Sequence, residues 1–323
     1  ISSAIASGYK YMLIVTSDEA KARKMCDDAS FFNKEAIYYP AKDAIFYSAD
    51  VHGNQITGER LRCISRIINH SCTGEGVLTV VTTMDGIADR LIPVERFKEA
   101  VITLDYSSEI EPEKLAKKLV AMGFVRTGMV EDKGQFAIRG GIIDIFSYTD
   151  EAPVRIELWD TEVDSIRMFD VESQRSIERL QSYSIFPATE YIFTEDELKN
   201  GLYNIKEECD RQLECFDYGK RKRTKEQIEA GNNLNKLVAD VERTGNYEKF
   251  TDTLVADTVG LAEYFPEENT LVVLDEPNRL KECNELTLYE YNESMKNRLA
   301  AGYVLPSQTN KVKAMNEIIS DLR

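Results

Sequence analysis

The chain has 323 residues, of which 43% are hydrophobic and 30% are charged, and its formal net charge is −16. No apolar run approaches the roughly 20 residues that span a bilayer, and so negative a surface repels nucleic-acid phosphates unless a basic patch intervenes. The chain begins without Met and without a secretory signal, so we expect it to be part of a longer, cytoplasmic protein.

The first hundred residues alternate strand and helix signals. Apolar runs predict strands at 11–15, 36–39 and 77–82. A capping box at residues 16–19 predicts a helix through about Phe32. Apolar residues at helical spacing predict a helix around residues 61–68. A second, short helix is predicted at residues 83–91. Repeated strand–helix units of this kind predict a parallel sheet covered by helices.

The pattern changes in residues 101–187. One helix is predicted from Pro112 to Met122. Proline is preferred at the first position of a helix and glycine just after its last residue, and Pro112 and Gly123 occupy these positions. Turn residues then separate a series of short strands, predicted at 125–130, 135–146, 154–159, 163–169 and 182–186. This order predicts a small antiparallel α+β meander.

Residues 188–323 are mostly helical. Their one clear strand signal is LVVL at 271–274, and a lone strand needs a sheet to join. We therefore predict an α/β fold in which residues 1–100 and 188–323 form one parallel-sheet domain. The meander of residues 101–187 interrupts it.

Motifs for nucleotide chemistry are incomplete. Asp275-Glu276 after the strand is similar to the metal-binding acidic motif of P-loop ATPases, but no G-x-x-x-x-G-K-[ST] accompanies it. No G-x-G-x-x-G follows the first strand, and no G-x-S-x-G occurs. We therefore predict no catalytic residues and no bound cofactor in this chain, and we interpret the acidic pair as the start of a helix.

Metal and nucleic-acid sites are also not favoured. The six cysteines form no CxxC pair, and the only histidines are His52 and His70, so a Cys/His zinc site is not favoured. Scattered cysteines of this kind are typical of proteins in a reducing cytoplasm. The basic run Lys220–Lys225 either contacts phosphate or is a solvated helix start. We favour the second, because no aromatic residues interleave with its charges.

The strands of the meander carry a candidate binding face. In the segment Gly134–Tyr148, GQFAIRGGIIDIFSY, strand alternation places Arg139 opposite the apolar side, before a glycine pair that allows a bulge or bend. Arg155 and Trp159 share one face of the next predicted strand. Trp159, the only tryptophan, is either core or a binding hot spot. Two arginines beside an aromatic residue favour a protein partner that bears carboxylates.

At these residues the sequence resembles a known family. The resemblance is to the N-terminal UvrB-homology region of bacterial transcription-repair coupling factors (Mfd). It is carried by residues 134–148, by the following stretch PVRIELWDTEVDSIRMFDVESQRSIE and by the earlier stretch YYPAKDAIFYSADVHGNQITGERLRCISRI. The string FDVESQRS at 169–176 is specific to that family. The resemblance implies a helicase-like α/β domain without a P-loop, interrupted by a UvrB-interaction-type domain.

The resemblance also implies function and partners. In that family the meander recruits the damage-recognition subunit UvrA to stalled RNA polymerase in nucleotide excision repair. The UvrA-contacting positions correspond to Arg139, Arg155 and Trp159, where the family often has Phe in place of the tryptophan. RNA polymerase and DNA are bound, and ATP and Mg²⁺ are used, by segments outside this chain. The family's C-terminal domains also pack on this region and mask its UvrA-binding face. The alternative interpretation is a nucleotide- or DNA-binding domain of a UvrB-like excision-repair helicase.

Overall fold

A computed structural model describes residues 8–32, 36–42, 52–73, 76–217, 222–255, 257–309 and 312–321 of the chain. Lys220 and Arg221 of the predicted basic run lie outside these residues, as do the side chains of His52 and Cys72.

The described residues form strands and helices in the alternating order that the sequence predicts at its start. The strands are β1 Tyr11–Thr16, β2 Ala36–Tyr39, β3 Leu78–Thr83, β4 Arg90–Leu91, β5 Ile102–Asp105, β6 Val125–Arg126, β7 Gln135–Arg139, β8 Ile142–Phe146, β9 Val154–Trp159, β10 Glu162–Phe169, β11 Ser176–Arg179, β12 Ser182–Ile185, β13 Val259–Gly260 and β14 Thr270–Leu274.

The α-helices are α1 Glu19–Phe32, α2 His52–Thr73, α3 Met84–Ile87, α4 Val94–Ala100, α5 Pro112–Ala121, α6 Glu195–Asp217, α7 Lys225–Thr244, α8 Thr251–Leu254, α9 Pro277–Ala300 and α10 Met315–Asp321. Short 3-10 helices lie at Glu248–Phe250, Leu261–Tyr264, Glu267–Asn269 and Pro306–Gln308.

The chain divides into two compact units. The first takes the described residues within 1–49, 76–92 and 193–323, and the second those within 50–75 and 93–192. Helix α2 thus falls in the second unit, whereas the sequence assigned it to the first domain. The domain limits predicted from the sequence stay a prediction.

The first unit is built on a parallel sheet with the strand order β14-β1-β3-β2. Strands β1 and β3 are buried along their whole length, as expected for apolar strands at the centre of a parallel sheet. The late strand β14 pairs in parallel with β1, from Tyr11 opposite Thr270 to Val15 opposite Leu274. The prediction that this lone strand joins the first sheet is confirmed.

The second unit is built on a six-stranded sheet with the order β11-β10-β9-β8-β7-β6. Helix α5 covers one face, which we call the inner face, through Leu115 and Leu119, and these pack with buried strand residues such as Ile143 and Ile156. All pairs are antiparallel except β6 with β7, which is parallel. Because β6 is parallel, the predicted all-antiparallel meander is wrong at that edge.

Several predicted elements differ from the structure. The segment 135–146, predicted as one strand, is two strands, and 83–91 is a one-turn helix followed by β4. Strand β12 leaves the meander and pairs with β5, which the sequence did not predict. Helix α4 and strand β11 were also missed, because both are short and their apolar pattern is weak.

Candidate binding face of the six-stranded sheet

The six-stranded sheet has a second face, opposite helix α5, which we call the outer face. Alternation along β9 buries Val154 and Ile156 on the inner face and leaves Arg155 and Trp159 on the outer one. Asp144 stands opposite Arg155 on the neighbouring strand β8, and Arg139 ends β7. The structure therefore places all three predicted residues, Arg139, Arg155 and Trp159, on one face.

The glycine pair is a hairpin turn, and the predicted bulge or bend within one strand is wrong. Arg139 pairs with Ile142, so Gly140 and Gly141 are the two loop residues that join β7 to β8. Gly140 has a φ of +61°, which favours glycine. At Gly141 a Cβ would lie 2.9 Å from the backbone oxygen of Leu158, so a side chain would collide with the neighbouring strand.

A buried carboxylate holds both arginines. Asp144 is 1% exposed. Its Oδ2 accepts a hydrogen bond from Nη2 of Arg139 at 2.6 Å, and its Oδ1 accepts one from Nε of Arg155 at 2.6 Å. A further bond of 2.9 Å joins Nη2 of Arg155 to Oδ2. Because β8 lies between β7 and β9, the two arginines are not on adjacent strands as predicted, and Asp144 bridges them.

Arg155 is fixed on every side. Its Nη2 also donates to Oε1 of Gln174 at 2.8 Å, and its guanidinium lies 4.2 Å from the centroid of the Phe169 ring. Hydrogen bonding to Asp144 raises the pKa of Arg155 above its ordinary value. Its side chain is only 12% exposed, whereas that of Arg139 is 42% exposed. The two arginines are therefore not equivalent as contacts for a partner.

The motif FDVESQRS forms the turn that positions Gln174. The backbone N–H of Gln174 donates to the oxygen of Asp170 at 2.8 Å, and the backbone N–H and Oγ of Ser173 donate to Oδ1 of Asp170 at 2.8 and 2.6 Å. The side-chain and backbone bonds from Ser173 lower the pKa of Asp170. Gln174 has a left-handed φ of +57°, and from this turn its Oε1 accepts the hydrogen bond from Arg155.

Trp159 is 80% exposed, which excludes the interpretation that it is a core residue. It ends β9 and stands opposite Glu162 across a two-residue hairpin whose first residue, Asp160, has a φ of +60°. At that exposure the side chain buries little apolar area in the fold. Such side chains are typical of protein-binding surfaces.

Sequence reasoning missed Asp144 and Gln174. Asp144 had a detectable signal, since it is the one polar residue in the β8 run IIDIF and alternation places it on the side of Arg139. Gln174 had none, because its approach to Arg155 depends on the left-handed backbone of the turn.

The acidic pair Asp275-Glu276, in the first unit, forms ion pairs with a lysine of the same chain. Nζ of Lys21 lies 2.5 Å from Oδ2 of Asp275 and 3.0 Å from Oε2 of Glu276. The hydrogen bond to Asp275, followed by that to Glu276, raises the pKa of Lys21. Oγ1 of Thr16 donates to the same Oδ2 at 3.1 Å. Asp275 and Glu276 do precede helix α9, as the sequence predicts.

The described part of the chain offers little support for a metal site, a basic phosphate-binding site or a membrane span. It contains no group of three or more His, Cys, Asp or Glu residues that could hold a metal ion. In the described portion of the basic run, Arg223 donates to the backbone oxygen of Leu213 at 3.4 Å and Lys222 is exposed. No described helix is long and apolar enough to cross a membrane.

Comparison with known proteins connects this face to a family. Residues 102–191, which include the whole outer face, match the UvrB interaction domain. The chain is 34% identical over 307 residues, 92% of its length, to the transcription-repair-coupling factor of Bacillus subtilis (strain 168). It is 30% identical over 295 residues, 91% of its length, to that of Staphylococcus haemolyticus (strain JCSC1435), and 30% identical over 304 residues, 94% of its length, to that of Staphylococcus aureus (strain Mu50 / ATCC 700699).

The chain spans about a quarter of these relatives: 25%, 24% and 25% of their respective lengths. Within that quarter the similarity includes both compact units, because it extends well beyond residues 102–191. The recognition made from the sequence is therefore confirmed: the chain carries a UvrB interaction domain and is a homologue of the transcription-repair-coupling factors.

Proposed function

We propose that this chain is the UvrA-recruiting module of a transcription-repair-coupling factor, and that UvrA binds the outer face. The observation that carries the proposal is Trp159, which is 80% exposed within the UvrB interaction domain and lies on the same face of the sheet as Arg139, whose side chain is 42% exposed. Exposed tryptophan and arginine are the residue types that dominate the binding energy of protein interfaces.

The three predicted contact residues take different roles in this proposal. Trp159 supplies apolar area, and Arg139 offers hydrogen-bond donors to a carboxylate of UvrA. Arg155, which is mostly buried, acts chiefly as a positioning residue, because it holds Asp144 and through it the orientation of Arg139. Its exposed edge adds a minor contact.

Binding of UvrA to the 323-residue chain tests the proposal. Trp159→Ala should weaken binding by about 30-fold, equivalent to about 2 kcal/mol, and Arg139→Ala by a smaller factor. Val120→Ala is the matched control, since Val120 is exposed on helix α5, which covers the inner face. Unchanged affinity in both Trp159→Ala and Arg139→Ala, with the fold retained, would refute the proposal.

The remaining partners and cofactors belong to the longer protein. We propose that segments outside residues 1–323 bind RNA polymerase and DNA and carry an ATP- and Mg²⁺-dependent motor, and that C-terminal domains mask the outer face. The chain itself acts as a non-catalytic cytoplasmic module in this proposal. The engagement of Asp275 by Lys21 supports it over the UvrB-like alternative, because a nucleotide-bound Mg²⁺ would compete with that ammonium group. Thermal stabilisation of the chain by ATP would favour the alternative.

A further inference from the structure

Three arginines occupy one row across the outer face. Arg155 of β9 stands opposite Arg167 of β10, which stands opposite Arg179 of β11. Side chains directly opposite on neighbouring strands leave the same face, and like charges in such a row destabilise the sheet unless they are compensated. The row therefore needs either internal carboxylates or an external partner.

Internal carboxylates compensate only part of the row. Asp144 forms an ion pair with Arg155, and Glu157 accepts a hydrogen bond from Arg167. The side chain of Arg179 is exposed and, within the described part of the chain, makes no hydrogen bond or ion pair. It is thus an uncompensated cation on a chain whose net charge is −16.

Strand β11 contributes little to the core. All four of its residues are exposed, and it is the edge strand beside β10. Ordering an edge strand costs conformational entropy, which main-chain pairing with a single neighbour barely offsets. The strand does extend the outer face by one strand width and carries Arg179 there.

The distances place Arg179 at the rim of an interface centred on Trp159. Two strand spacings separate β9 from β11, about 10 Å, and four residues along β9 separate Trp159 from the arginine row, about 13 Å. The diagonal is about 16 Å, close to the radius of a circular footprint of about 800 Å² per partner. Charges at a rim act mainly on the association rate.

We propose that Arg179 belongs to the partner-binding surface and forms a rim ion pair with a carboxylate of the bound protein. This inference rests on the proposed function and names an additional contact for it. Arg179 accelerates association by offsetting locally the repulsion between an acidic partner segment and this acidic chain. Trp159, at the centre, slows dissociation.

Association and dissociation rates of the 323-residue chain with UvrA test the inference. At low ionic strength Arg179→Glu should lower the association rate constant about 3- to 10-fold, with a dissociation rate constant within about 2-fold, and salt should reduce the difference. Lys117→Glu is the matched control: it makes the same charge change at an exposed residue of helix α5, on the other side of the sheet.

The outcomes separate the two proposals. Equal association rates for Arg179→Glu and Lys117→Glu at all salt concentrations would overturn the role of Arg179. If Trp159→Ala still accelerated dissociation, the proposed function would stand. No binding of UvrA by the unsubstituted, folded chain would overturn both.

Discussion

At the scale of single residues, Asp144 determines what each arginine of the outer face contributes. Its carboxylate is almost completely buried and receives two bonds from Arg155 and one from Arg139. A buried carboxylate that loses its main partner is costly, whereas the loss of a partly exposed arginine from a carboxylate that keeps its main partner costs less. Loss of binding and loss of stability can therefore be separated by the choice of arginine.

Arg155→Ala should destabilise the chain by about 2 to 4 kcal/mol, because it leaves Asp144 with Arg139 alone and uncovers Phe169. Arg139→Ala should cost less than about 1 kcal/mol, since Asp144 keeps both bonds from Arg155. Urea unfolding of the two variants checks this expectation. Equal losses of unfolding free energy would mean that Asp144 does not distinguish the two arginines.

Asp150 predicts a pH dependence of stability. Burial raises the pKa of this carboxyl, against hydrogen bonds from Tyr183 and Thr149 that act in the opposite direction. Folding therefore favours the protonated form, and the stability it contributes is present below the unfolded pKa of about 4 and is lost as the pH rises through the folded pKa.

The comparison of the unsubstituted chain with Asp150→Asn isolates this contribution. The unfolding free energy of the unsubstituted chain minus that of the variant should be lower at about pH 7 than at about pH 4. Urea unfolding at the two pH values measures it. A difference that grows with pH would contradict the direction of the shift.

At the scale of elements, the hairpin β7–β8 depends on both of its glycines for different reasons. Gly140→Ala places a side chain at a φ of +61° and should cost about 1 kcal/mol. Gly141→Ala should cost more, because its Cβ would lie 2.9 Å from the oxygen of Leu158, a backbone atom that cannot rotate away.

Gly128→Ala is the control for the hairpin. A Cβ at Gly128 meets no atom within 4 Å, and its φ lies outside the left-handed region. This substitution should be neutral or slightly stabilising, because alanine restricts the unfolded chain. Chemical denaturation of the three variants should rank them Gly141, Gly140, Gly128 in decreasing loss, and a loss at Gly128 equal to the others would refute the argument.

The same hairpin explains how far sequence reasoning extends. Alternation predicted correctly that Phe136 and Ile138 face away from Arg139, since side-chain direction in a strand is a local property. Whether a glycine pair bends a strand or reverses it depends on which segments pair, and that is set by contacts distant in sequence. For the same reason the parallel pairing of β6 and the bridge through Asp144 were not predicted.

At the scale of the whole molecule, the second unit draws on residues far apart in the chain. Arg60 of helix α2 and Glu190 form an ion pair with both side chains at most 1% exposed, Nε to Oε1 at 2.6 Å and Nη2 to Oε2 at 3.1 Å. The pair joins residues 130 positions apart within this unit. It extends the structural unit beyond residues 102–191, which match the UvrB interaction domain.

Arg60→Leu should therefore destabilise the second unit by about 3 to 5 kcal/mol, because it removes the guanidinium that pairs with the buried carboxylate of Glu190. Adding Glu190→Gln should recover part of that loss, since a neutral amide is cheaper to bury than a charge. Hydrogen exchange of the strands β7 to β10 would report the unfolding of this unit. Similar protection in Arg60→Leu and the unsubstituted chain would contradict the expectation.

The exposure of Trp159 has a spectroscopic consequence. It is the only tryptophan in the chain, so selectively excited indole emission arises from one position on the outer face. In the free chain that indole is in contact with water, and a protein that covers it would replace water with apolar surface and shift the emission to shorter wavelength. The chain thus carries a built-in optical reporter at the surface where UvrA is proposed to bind.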